Sequence, residues 1–90
     1  MIVGALGLVE VRGLVTGIHV LDAMIKAAGV KHICTKKKMG GGLVTVVVEG
    51  DVGAVKAAVE AGGEAGSRIS EVFCAEVIAR PHEGIIEYLK

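Results

Sequence analysis

Ninety residues, 52% of them apolar, with a mean hydropathy of +0.64, no Trp, one Phe and one Tyr, describe one small domain over residues 1–90 whose core is aliphatic. Ten Lys plus Arg balance ten Asp plus Glu, so the formal charge is zero and no global basic field draws the chain to nucleic acid. No run approaches the roughly 18 apolar residues of a membrane span, and Met1–Leu8 lacks the basic flank and cleavage signature of a secretory leader, so the expected compartment is the cytosol.

So large an aliphatic excess on so small a domain fits either a tightly packed monomer or burial against other chains. In chain order, Val3 to Val11 reads as a strand that closes on Glu10, Arg12 and the breaker Gly13. Leu14 to Ala28 switches to helical period, with Leu14, Ile18, Leu21, Ile25 and Ala28 on one stripe and Thr16, His19, Asp22 and Lys26 on a narrow polar line. Val15, Val20, Met24 and Ala27 widen the apolar surface beyond one contact, so this helix is expected to touch more than its own sheet. Gly29 is placed for a left-handed C-cap, with Lys26 in the last turn.

Val30 to Met39 reads as a second strand and Leu43 to Glu49 as a third, joined as a hairpin by Gly40-Gly41-Gly42. Asp51 is an N-cap for a helix running to about Arg68, with Lys56, Glu60, Glu64 and Arg68 on its wet face. Gly62, Gly63 and Gly66 inside that helix each cost about 1 kcal/mol relative to Ala, so they mark either close backbone packing or local fraying. Glu71 to Arg80 is a fourth strand stopped by Pro81, and His82 to Lys90 is a short amphipathic tail, helical from Glu83.

The halves echo each other: Gly7-Leu8-Val9-Glu10-Val11 resembles Gly42-Leu43-Val44-Thr45-Val46, and each leads into an Ala-rich helix and a further strand. The order βαβ followed by βαβ predicts an α/β (α+β) ferredoxin-like fold, an antiparallel sheet with two main helices on one face and a short C-terminal helix.

Catalytic constellations do not emerge. His19, His32 and His82 share no metal-ligand spacing, and no phosphate-loop or dinucleotide fingerprint is present, so neither an enzyme nor a cofactor or metal site is expected. Cys34 and Cys74 lie far apart without CxxC spacing and are expected as reduced thiols in strands. An RNA-binding sheet of this strand order needs stacking aromatics, and only Phe73 is available.

Two stretches stand apart. In Lys36-Lys37-Lys38-Met39-Gly40-Gly41-Gly42 the glycines permit positive φ and leave N–H groups free for an anion or a neighbouring chain; a plain hairpin turn beside solvated lysines accounts for the same residues. In Ala79-Arg80-Pro81-His82-Glu83-Gly84 a cation and a rigid turn leave the sheet together, and Arg80 is either solvated or a donor to facing carbonyls at an interface.

Five segments taken together carry a resemblance: Ala5-Leu6-Gly7-Leu8-Val9-Glu10, Asp22-Ala23-Met24-Ile25-Lys26-Ala27-Ala28, Lys38-Met39-Gly40-Gly41-Gly42-Leu43-Val44-Thr45, Gly50-Asp51-Val52-Gly53-Ala54-Val55-Lys56-Ala57-Ala58 and Arg80-Pro81-His82. In this order, over nearly the whole chain, they resemble the hexamer-forming shell proteins of bacterial microcompartments, the BMC-domain family. The resemblance implies a structural protein of a microcompartment shell in the cytoplasm: a homohexamer that tiles with other shell proteins around encapsulated enzymes and passes small polar or anionic metabolites through a central pore. It further implies that Gly40, Gly41 and Gly42 form the pore rim with Lys38 and Met39 beside it, and that Lys26, Gly29, Arg80 and His82 lie at the hexamer edge. The sequence departs from the family pattern in a glycine loop one residue late, in Gly41 where Ser is frequent, and in Gly29 where Asn is common. The competing expectation, from a different class, is a ferredoxin-like regulatory module that cradles an anionic metabolite in the glycine loop at a subunit interface.

Overall fold

Period-two alternation in the strands and a glycine-assisted contact between the helices organise the chain. The computed structural model describes residues 4–38 and 41–89, apart from the Ile86 side chain. Along them run β1 (Ala5–Arg12), α1 (Leu14–Ala27), β2 (Lys31–Lys37), β3 (Leu43–Gly50), α2 (Val52–Ser67), β4 (Val72–Ala79) and α3 (Ile85–Leu89). The strands form one antiparallel sheet in the order β2-β3-β1-β4, the ferredoxin-like arrangement expected from the sequence.

Alternation sends Val9 and Val11 of β1 and Val44, Val46 and Val48 of β3 to the helical face. There they form one buried cluster with Val20 and Met24 of α1 and Val55, Ala58 and Val59 of α2. Each fully buried valine contributes on the order of 1.5–3 kcal/mol relative to exposure. Gly7 lets α2 settle on β1, since a Cβ there would stand 2.8 and 2.9 Å from the side chains of Val59 and Val55.

The glycines of α2 divide. A Cβ at Gly62 would lie 2.7 Å from Met24 Cγ and one at Gly66 3.0 Å from Val72 Cγ2, whereas Gly63 has nothing within 4 Å. Close packing explains the first two and not the third.

The echo between the halves is a pseudo-two-fold relation. Glu10 and Thr45, 35 residues apart, are register partners, and Thr45 Oγ1 donates to Glu10 Oε2 at 3.2 Å. Val9 pairs with Val46 and Val11 with Val44, so the axis passes through the Glu10–Thr45 pair and exchanges the two flanking pairs.

Several local expectations are corrected. Gly29 is not left-handed: α1 stops at an extended Ala28 (φ −156°, ψ 166°), and positive φ among the described glycines occurs at Gly4, Gly13 and Gly42. The buried stripe of α1 is Thr16, Gly17, Val20 and Met24; of the expected stripe Leu21 and Ala28 pack partly buried against the core, while Leu14, Ile18 and Ile25 are 45%, 59% and 47% exposed and Val15 is 69% exposed. The stripe is rotated because Gly17 permits close approach: a Cβ there would meet Val44 Cγ1 at 2.8 Å. Thr16, expected on the polar line, is buried beside it. Asp51 occupies the N-cap position of α2 but makes no side-chain capping bond. The tail helix begins at Ile85, two residues after Glu83.

Candidate functional site

The residues singled out in the sequence fall at the two ends of the sheet. At one, β1 finishes at Arg12, paired with Leu43 at the start of β3, and the hairpin from β2 turns over. At the other, Ala5 pairs with both Gly50 and Ala79. Eight strand residues separate these ends by about 23 Å at the usual rise per residue.

The first end carries the glycine loop. Lys38 is exposed, and its N–H donates to Leu43 C=O at 2.9 Å, closing the hairpin; Met39 and Gly40 lie outside the described residues. Gly41 is half-buried, and Gly42 is exposed with φ +69°, a conformation that glycine adopts without a Cβ penalty. Two groups from β1 and its exit hold the loop: Gly13 N–H donates to Gly42 C=O at 2.6 Å, and Arg12 Nη1 donates to Gly41 C=O at 2.9 Å.

Arg12 is the residue that sequence reasoning passed over. Its guanidinium carbon lies 5.1 Å from the centroid of the Phe73 ring, and Phe73 is the extra residue of a bulge where β4 slips from Cys74 to Val72 against β1. Bulges re-aim side chains, and this one brings the chain's single Phe under the cation that holds the loop. The sequence carried no signal for it: the echo of the halves, extended beyond Val11, aligns Arg12 with the buried Val47, which has no such role.

At the second end, Lys26 and Gly29 lead into β2 and Arg80 and His82 follow β4, on opposite edges of the sheet. Lys26, in the last turn of α1, pairs with Asp22 at 2.8 Å, both side chains being mostly exposed. Gly29 is exposed, and its carbonyl lies against Gly50; a Cβ at Gly50 would be 3.2 Å from it. Arg80 leaves β4 with φ +49°, a left-handed conformation unusual outside glycine, and its N–H donates to Gly4 C=O at 2.8 Å. That bond ties the exit of β4 to the entry of β1. His82 is exposed, and its Nδ1 accepts from Gly84 N–H at 3.0 Å, which fixes Nδ1 as the unprotonated nitrogen in this arrangement.

Beside them a cavity of about 380 Å³ opens between Gly29, Val30, Lys31, Glu49, Gly50 and Asp51. One carboxylate oxygen of Glu49, Oε2, is buried without a hydrogen-bond partner. Cys34 lies in β2 and Cys74 in β4, both as free thiols. Among the described residues no three His, Cys, Asp or Glu converge as metal ligands, and no helix is long and apolar enough to cross a membrane.

A ferredoxin-like domain with a glycine hairpin at one end of the sheet belongs to a defined class. The model of the BMC domain family matches residues 5–81, and the chain belongs to that family. It is similar to the bacterial microcompartment shell protein PduA of Citrobacter freundii, with 49% identity over 85 residues that cover 94% of this chain and 90% of the relative. The shell protein EutM of Salmonella typhimurium is 52% identical over 83 residues, 92% of this chain and 85% of the relative. A solved microcompartment protein from Desulfitobacterium hafniense superposes with a TM-score of 0.83 at 32% identity; the match covers 96% of this chain and 46% of that one. PduA and EutM are structural shell proteins rather than enzymes, and the kinship supports a structural shell role.

Proposed function

We propose that the chain is a tile of a bacterial microcompartment shell: a single shell domain over residues 1–90 that forms homohexamers, which join edge to edge with one another and with other shell proteins around encapsulated enzymes. The observation that carries this reading is the separation of the two ends of the sheet. A subunit of a flat ring needs one end at the axis and the opposite end at the perimeter, and here the end with the glycine hairpin and the end where Lys26, Gly29, Arg80 and His82 leave their elements are about 23 Å apart along the strands.

In this reading Lys38, Met39, Gly40, Gly41 and Gly42 of six subunits line a central pore. Six glycine loops converging on an axis bring backbone N–H groups together without side chains between them, which favours small polar or anionic metabolites over apolar gases. At the perimeter, Lys26 meets its symmetry mate with its stem packed and its ammonium donating to carbonyls, and Arg80 and His82 reach across the same junction. The left-handed Arg80 supports this, since backbone strain at an exposed cation is sustained where the surrounding structure aims it. Between the ends, the exposed Leu14, Val15, Ile18 and Ile25 give α1 an apolar flank suited to a neighbouring subunit.

Native mass measurement followed by electron microscopy tests the assignment. Six-fold rings that extend into sheets are the expected result; a stable monomer or dimer at high concentration overturns it. A dimer or trimer that changes state with an anionic metabolite would favour a regulatory module instead.

A further inference from the structure

With the hairpin end of the sheet at the axis of a ring, the surfaces that run beside the strands are the flanks along which neighbouring subunits meet. A ring closes through heterologous contacts, so one flank of each subunit faces the other flank of the next. The two flanks of this chain are unlike. β2 is one edge strand and β4 the other, and α1 lies on the β2 side of the sheet while α2 lies on the β4 side.

Each flank has an apolar strip. Val20 and Met24 of α1 meet Gly62 of α2, and Val44 of β3 meets Gly17 of α1. At about 100° per residue, Leu14, Ile18, Leu21 and Ile25 come next round the helix, on the side turned away from α2, and all but Leu21 are exposed. On the other flank β4 has exposed residues on both its faces, with Phe73 and Ile78 toward its two ends. It has neither Lys nor Pro, the usual protection of an edge strand, and an exposed apolar strand of this kind marks an association surface.

The edges also carry opposite charge. β2 has exposed Lys31, Lys36 and Lys37 and no acid, whereas Val72–Ala79 with the preceding Glu71 has exposed Glu71 and Glu76 and no base. Among the described residues none of these five forms an ion pair. Lysines on β2 alone would be ordinary edge protection; acids on the opposite, unprotected edge make the two flanks complementary. Through the pairing registers Lys36 and Lys37 stand level with Glu10 and Val11 of β1, and Glu76 with Leu8, while Glu71 C=O accepts from Arg12 N–H. Groups at similar levels along the strands keep similar distances from an axis at the hairpin end, so rotation about that axis brings these lysines of one copy toward these glutamates of the next.

We propose that the α1 and β2 flank of each copy of this chain docks on β4 of the next, with Leu14, Ile18 and Ile25 covering the apolar strand and Lys36 and Lys37 set against Glu71 and Glu76. The proposal rests on the ring reading above and adds to it which surfaces meet and in which direction.

Two charge-reversed variants test it at low salt. Lys36→Glu with Lys37→Glu makes both flanks acidic, and Glu71→Lys with Glu76→Lys makes both basic. Alone, each is expected to need a concentration more than about tenfold higher than wild type to form rings. Mixed in equal amounts, they are expected to form rings again, and native mass should show equal numbers of the two chains, because only alternation places opposite charges at every junction. Variants that assemble alone as readily as wild type overturn the proposal, as does a mixture no better than its components. Carbodiimide coupling of wild-type rings decides the point even if a variant fails to fold, since it joins a lysine to a carboxylate in direct contact. A ladder of products ending at the hexamer, with Lys36 or Lys37 linked to Glu71 or Glu76, is expected; products that stop at the dimer, or links between other residues only, refute the flank assignment while leaving the ring. Absence of wild-type rings refutes the ring reading itself, and this proposal with it.

Discussion

Arg12 and Gly41 stand 29 residues apart in sequence and meet at 2.9 Å, the guanidinium of one holding the carbonyl of the other. The contact joins the last residue of β1 to the hairpin that opens β3, and the cation–π contact with Phe73 joins both to the start of β4. Three of the four strands thus share one polar latch at the loop end of the sheet. A loop made of glycine is otherwise costly to order, and this latch, with Gly13 N–H on Gly42 C=O, supplies the order that its own residues lack.

Contacts between the helices predict opposite effects for two neighbouring glycines. Gly62→Ala places a methyl 2.7 Å from Met24 Cγ and is expected to destabilise by about 1–2 kcal/mol, overpacking outweighing the gain in helix propensity. Gly63→Ala meets nothing within 4 Å and is expected to stabilise by about 0.5–1 kcal/mol. Urea denaturation of both variants checks the pair, and equal shifts would contradict the packing described for α2.

Lys26→Asp is expected to abolish sheets and leave rings intact, because it sets a second carboxylate beside that of Asp22 at the proposed perimeter, on a mostly exposed side chain. The like-charge pair four residues apart costs the helix only about 0.2–0.5 kcal/mol. Electron microscopy reads the outcome; loss of the ring itself would mean that Lys26 lies within it.

Gly41 and Gly42 are expected to differ in tolerance. Gly42 holds φ +69°, whereas Gly41 is not in the left-handed region and a Cβ there comes no closer than 3.8 Å to Leu43 Cγ. Gly41→Phe should therefore fold and slow the flux of polar substrates into an assembled shell. Flux equal to wild type would deny the loop a gating role.

Ile18→Ser tests the apolar flank of α1. With the side chain 59% exposed, the subunit is expected to lose no more than about 0.5 kcal/mol of stability. Self-association should weaken instead, seen as a shift to smaller species in sedimentation at fixed concentration; unaltered assembly would remove this face from the subunit contacts.

How much was legible in the sequence differs between backbone order and side-chain direction. Alternation in Val9, Val11, Val44, Val46 and Val48, the turn at Gly41-Gly42 and the stop at Pro81 determined the strands, their order along the chain and the helical face, because a period of two survives in the residue string itself. The echo around Glu10 and Thr45 showed the two halves, and only the structure showed that β1 pairs with β3. What the string could not determine was which of two apolar stripes on α1 turns inward. Leu14, Ile18 and Ile25 are larger than Gly17 and Thr16, and hydrophobicity alone favours the larger set; only the approach of Val44 to Gly17 reverses that choice. The end of α1 and the role of Arg12 were decided in the same way. Gly29 lies against Gly50 in an extended exit, and Arg12 gains its partner because a bulge at Phe73 and a hairpin 29 residues away arrive at one end of the sheet. Such relations are distances between segments remote in sequence, fixed by close packing, and the composition of neither segment contains them.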